Sequence, residues 1–289
     1  NGSIDLGASA DSLTFGNFAN TATVSNTETI LSGTGADTIT VATQLSRGAI
    51  DLGDGNDVLT LANFANTATV SNVETLTGGS DTDVITLGAA LTATSLINLG
   101  AGDDKLTLGD FANTGSVANV ETLVGGTDVD VVTVTTQLSN ASVNLGDSID
   151  SLTLGDFANT ATVSNVESIA GGTGADTITL GAAASEATIN LGNGSDKLMF
   201  GNFANVATVS NVETLLGGIL ADTITLESAL STSMTIDLGA GNDTLTLGAF
   251  ANTGTVSNVE TLIGSTGADT ITLGTVASKA SIDLGDGND

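Results

Sequence analysis

The stretch LGDGNDVLTL at residues 52–61 joins a glycine-spaced acidic turn to a short apolar strand, and GGTGADTITL at 171–180 repeats the construction. Leu59 and Leu61 alternate with Val58 and Thr60, the period of two that gives a strand one inward and one outward face. Working outward, the same aspartate returns at Asp11, Asp37, Asp57, Asp83, Asp104, Asp130, Asp150, Asp176, Asp196, Asp222, Asp243, Asp269 and Asp289. The intervals alternate between long and short ones of 26 and 20 or 21 residues. One unit is thus copied along the whole chain.

The complete period is 46 or 47 residues, repeated in the FAN tripeptides that begin at Phe18, Phe64, Phe111, Phe157, Phe203 and Phe250. A fixed period of this size marks a stacked repeat, in which each unit buries its apolar face only against its neighbours. Thirty-seven glycines, no proline and an abundance of Thr, Val, Ile and Leu suit short strands joined by tight turns. Proline would remove a ladder donor from a strand paired on both sides. Disorder is disfavoured, because 40% of the chain is hydrophobic and the hydrophobes are regularly placed.

These features predict an all-β parallel solenoid of about 13 coils, with one aspartate per coil and a two-coil repeat. A second apolar pair before each turn, as in SLINLG at 95–100, ATINLG at 187–192 and VETL at 73–76, supplies the return strand. On this reading FANTATVSN is an insertion that widens alternate coils, its phenylalanines fill the bulge, and the VET glutamates from Glu28 to Glu260 lie at solvated corners. The 289 residues form a single repetitive domain, expected to be an excerpt of a longer array since they start at Asn1 and stop inside the LGDGND turn.

Charge is the second strong signal: 33 acidic residues face four basic ones, for a formal net charge of −29. Nucleic acid and anionic membranes are excluded as partners, since phosphate contacts need clustered Lys and Arg. Aspartates stacked in one column about 4.8 Å apart would repel by about 0.9 kcal/mol per neighbouring pair even in water. Arg47, Lys105, Lys197 and Lys279 are too scattered to offset this. A raised pKa or a bridging cation is required. Carboxylates, turn carbonyls and Asn or Ser oxygens suit calcium, with magnesium as the more demanding alternative, and the chain has no His or Cys for a softer metal. The competing reading is that Asp and Gly make hydrogen-bonded turns alone.

GGTGADTIT at 171–179 matches G-G-x-G-x-D-x-U-x, so the chain resembles the RTX, or haemolysin-type, calcium-binding repeats found in secreted bacterial proteins. The likeness runs through the whole chain, with one motif per long coil in place of tandem nonapeptides. It implies a right-handed β-roll that binds Ca2+ and folds after type I secretion. The aspartates named above would be the side-chain ligands. Gly53, Gly55, Gly100, Gly102, Gly172, Gly174, Gly192, Gly194, Gly239, Gly241, Gly285 and Gly287 would supply turn backbone. Ser9, Asp81, Asp128, Ser148 and Leu220 replace the second motif glycine and Ser265 the first.

Acids that recur periodically, with no His, Cys or Tyr, point away from catalysis. No apolar run reaches membrane-spanning length. The expectation is a non-enzymatic, calcium-rigidified, extracellular rod of a surface layer, adhesin or filament that self-associates. Two alternatives are a secretion module of a larger enzyme or toxin, and an ice-binding face built from the outward threonines.

Overall fold

The computed structural model describes residues 2–276 and 280–289, so Lys279 lies outside the described residues. The described chain is all-β, with every strand pair parallel, and divides into two compact units, residues 1–148 and 149–289. In each unit, consecutive strands go alternately to two sheets, so that two strands and their corners make one turn of a parallel β-solenoid.

In the first unit one sheet stacks Thr38–Val41, Val58–Leu61, Thr75–Gly79 and Leu96–Gly100 in register. The other stacks Thr67–Ser71, Val84–Leu87, Lys105–Thr107 and Thr122–Gly126. Ile39 lies beside Leu59, Leu59 beside Leu76 and Leu76 beside Ile97, steps of 20, 17 and 21 residues. All four side chains are fully buried, as the alternation required. The second unit repeats the pattern, with Ala207, Ile224, Leu245 and Leu262 in one inward column.

These steps correct the expected coil. The TATVS segment after FAN is itself a strand, because Ala22 and Val24 point into the core while Thr21 and Thr23 face out. Each 46- or 47-residue repeat therefore contributes five strands, for example Thr21–Ser25, Thr29–Leu31, Thr38–Val41, Ser46–Asp51 and Val58–Leu61. Five strands are two and a half turns, not two. A 26-residue interval is a turn and a half, and no coil is widened, so the count of thirteen is too low. Successive repeats consequently fall on opposite sheets: Thr38–Val41 on one, Val84–Leu87 on the other.

Longer turns take up their extra residues at bulges. The register between Ser46–Asp51 and Thr67–Ser71 slips between Ser46 and Gly48, where Arg47 has φ 66°. Glu186, φ 57°, occupies the matching slip in Ser185–Gly192. The phenylalanines are not core filler. Phe64, Phe111, Phe157, Phe203 and Phe250 are 36–44% exposed at the corners and Phe18 is 76% exposed. The turn explains this: each Phe N–H donates to the carbonyl two residues back, as Phe111 does to Gly109 at 3.0 Å, which holds the ring over that residue's backbone.

The half-turn rotation makes Ile39 and Ile85 equivalent positions on opposite sheets, both fully buried. Ile39→Ala and Ile85→Ala should each cost about 2–5 kcal/mol, the range for emptying a buried aliphatic site. Urea unfolding of the two variants is expected to give matching losses.

Candidate functional site: stacked acid ladders

The sharp corner ahead of each strand sets the repeating aspartate on the inward side. Eleven of the thirteen are at most 1% exposed, from Asp37 to Asp269, whereas Asp11 is half-buried and Asp289 exposed. They do not form the expected single column. In the first unit Asp37 and Asp57 stack ahead of strands of one sheet, and Asp83 and Asp104 ahead of strands of the other. Both oxygens of Asp37 and one of Asp57 have hydrogen-bond donors.

Each stack is a directional ladder. Asn20 donates its backbone N–H and Nδ2 to Asp37 Oδ1, at 2.7 and 2.8 Å. The Asp37 N–H donates to Asp57 Oδ1 at 2.7 Å, and the Asp57 N–H to Glu74 Oε2 at 2.8 Å. On the other side Asn66, Asp83, Asp104 and Glu121 repeat the order, at 2.9, 2.7 and 2.8 Å between backbone N–H and carboxylate. The second unit carries Asn159–Asp176–Asp196–Glu213 and Asn205–Asp222–Asp243–Glu260, and begins a third ladder with Asn252–Asp269–Asp289. Asp130 accepts from Asn113 in the first unit; the Asp150 N–H donates to Glu167 in the second. Asp11 donates its N–H to Glu28 at 2.8 Å.

The VET glutamates are thus half-buried acceptors within the ladders, which corrects their assignment to solvated corners. Sequence reasoning also missed the FAN asparagines. A signal existed, for each FAN Asn stands 17 residues before an Asp, and each VET Glu 17 after the next one, as in Asn20–Asp37 and Asp57–Glu74. Seventeen residues is the short turn of the solenoid, so a constant offset of that length places residues one above another.

The motif glycines answer two steric demands. Gly53, Gly100, Gly192, Gly239 and Gly285 have φ between +81° and +97°, and Gly102 has +151°. A Cβ on Gly100 would stand 2.0 Å from the Gly79 carbonyl oxygen of the coil before. Gly55, Gly194, Gly241 and Gly287 lie under a carboxylate: a Cβ on Gly194 would meet Asp196 Oδ1 at 2.5 Å and the Gly174 carbonyl at 2.4 Å. Gly172 and Gly174 lie against the neighbouring corner, Gly172 near Asp156 and Gly174 near the Phe157 carbonyl.

The two aspartates of a stack differ in how fully they are satisfied. Asp37 Oδ2 accepts from the Ser32 hydroxyl, Asp83 Oδ2 from the Gly79 N–H at 3.2 Å and Asp222 Oδ2 from the Gly218 N–H at 3.3 Å. In Asp57, Asp104, Asp196 and Asp243 the second oxygen is buried without a hydrogen-bond partner, as it is in Asp176 and Asp269. Burial, partly offset by the N–H bond and reinforced by the neighbouring Asp and Glu, pushes Asp104, Asp196 and Asp243 up to about 6, and Asp57 upward. Asp130 and Asp176 are raised by burial against the bonds from Asn113 and Asn159.

The donor set suits a hard cation in kind: stacked carboxylates with an orphaned oxygen, beside turn carbonyls that approach the glycine faces. Among the described residues no three acidic, histidine or cysteine side chains gather at one point. Turn carbonyls would have to complete a calcium shell of six to eight oxygens. No family model, curated protein or solved structure matches the chain.

Two outcomes follow from this geometry. In metal-free buffer, carboxyls raised from 3.8 to about 6 on folding take up protons preferentially in the folded state. Their stabilising effect is full below 3.8 and disappears as pH rises through about 6. Melting temperature is expected to fall between those values, whereas a rise would contradict the burial of these groups. Gly100→Ala should cost about 1–3 kcal/mol through backbone strain alone, with more from the carbonyl contact, measured by urea unfolding.

Proposed function

We propose that the chain is a structural rod segment of a secreted bacterial surface protein, of the surface-layer, adhesin or filament kind, rigidified by calcium. The observation that carries this reading is that the polar interior recurs with the repeat: the Asn–Asp–Asp–Glu order appears on both sides of the solenoid and in both units. A catalytic constellation is singular, whereas a load-bearing one is repeated. The outward threonines favour the rod over an ice-binding face, since the column Thr23, Thr40, Thr60 and Thr77 is broken at Asn98.

Calcium enters through the orphaned oxygens. Asp57, Asp104, Asp196 and Asp243, with Asp176 and Asp269, would hold it together with turn carbonyls, and the ion would supply the positive charge that four basic residues cannot. Folding would then be coupled to calcium, which favours a destination rich in the ion. An exported chain without cysteine has no disulfide to form, which agrees with this route. Self-association of rods belongs to the same reading.

Thermal melting followed by far-UV circular dichroism, in calcium, magnesium and chelator, tests it. A rise in melting temperature specific to calcium is expected. Identical melting in all three would leave a rod held by hydrogen bonds alone, and an unfolded chain in every condition would reject the rod.

A further inference from the structure

The ladders are interrupted, and the interruption has a consequence for stoichiometry. Each pair of stacked aspartates is closed on one side by an asparagine and on the other by a glutamate. Asn66 donates twice to Asp83 Oδ1, at 2.9 Å from both nitrogens, and Asp83 Oδ2 takes the Gly79 N–H, so both Asp83 oxygens have donors. Asp104 Oδ1 takes only the Asp83 N–H, and its Oδ2 is buried without a partner in a side chain 1% exposed. Beyond Asp104 the ladder ends on Glu121, whose Oε2 accepts the Asp104 N–H. The other ladder has the same asymmetry: Asp37 is engaged by Asn20 and Ser32, and Asp57 keeps the orphaned oxygen.

Resting on the calcium reading above, we infer that cations enter this fold as separate single ions, one for each Asp–Asp pair, carried by the second aspartate of the pair. The first aspartate is a positioning residue, held by asparagine and aiming its backbone N–H at the second. Ions on neighbouring pairs of one unit lie at strands of opposite sheets, so no continuous file of calcium forms. The chain would bind one ion per 46- or 47-residue repeat, not one per aspartate.

Calcium titration of the full chain by isothermal calorimetry, with terbium luminescence as a second readout, counts the ions. Asp104→Asn keeps an acceptor for the Asp83 N–H while removing the charge, and should lower the count by one. Asp83→Asn combined with Asp104→Asn should also lower it by one, and Asp57→Asn combined with Asp104→Asn by two. Circular dichroism of each variant establishes that it is folded, and Asp196→Asn replaces Asp104→Asn if the latter is not. Loss of two ions from the Asp83–Asp104 double variant, or of none from Asp104→Asn, would overturn the inference while leaving calcium binding intact. A parent chain that takes up no ion overturns both.

Discussion

The structure depends on one contact: a backbone N–H at the corner of one coil donating to a carboxylate at the same corner of the next. The tight corner ahead of each strand turns this N–H into the interior, where no strand partner reaches it. An unsatisfied buried donor costs on the order of 1–3 kcal/mol, so every coil needs an acceptor from its neighbour. A carboxylate serves because it carries only acceptors, and its bond to a neutral donor is charge-assisted. The same contact explains the glycines, since the chain must come close enough to the carboxylate and the adjoining carbonyl that a Cβ would collide with them.

That solution creates a second problem. A carboxylate satisfied on one oxygen is left with another in a dry corner, and two such groups in adjacent coils repel. The sequence limits the damage by running only two aspartates in succession. Asparagine precedes them as a neutral residue that both accepts and donates: Asn66 Oδ1 accepts the Leu45 N–H at 3.0 Å while its Nδ2 serves Asp83. Glutamate follows, its longer side chain half-exposed, so that the last charge of the ladder reaches toward water. The remaining cost falls on the second aspartate, which is where the carboxyl is pushed up to about 6 in three ladders.

Much of this was legible in the sequence. Alternation after each aspartate gave the strands, and the buried column through Ile39, Leu59, Leu76 and Ile97 follows from it directly. The coil was misjudged because the aspartate was taken as the only marker of a turn. Alternation in TATVS, equally strong, marks a strand of its own. The site was legible in residue type and not in direction. Spacing says that aspartates stack; it does not say whether a carboxylate faces out toward an ion or inward to an N–H, because both orientations need glycine beside it. That choice depends on the φ of the corner and on the carbonyl of the preceding coil.

The repeat of two and a half turns has a structural result that two or three turns would lack. With a whole number of turns, every acid pair would fall on the same side, concentrating buried charge along one edge of a unit. The extra half-turn sends successive pairs to alternate sheets, so Asp37 and Asp57 are separated from Asp83 and Asp104 by the width of the coil as well as by their rise. Coulomb repulsion falls with distance and is screened over about 10 Å at moderate salt, so alternation lets the chain carry many acid pairs with little coupling between them. It also gives both sheets the same sequence of strands, and hence equal inward volume and outward chemistry. Mismatched strand lengths would strain a solenoid with unlike faces; here each 46- or 47-residue copy repairs the asymmetry of the one before.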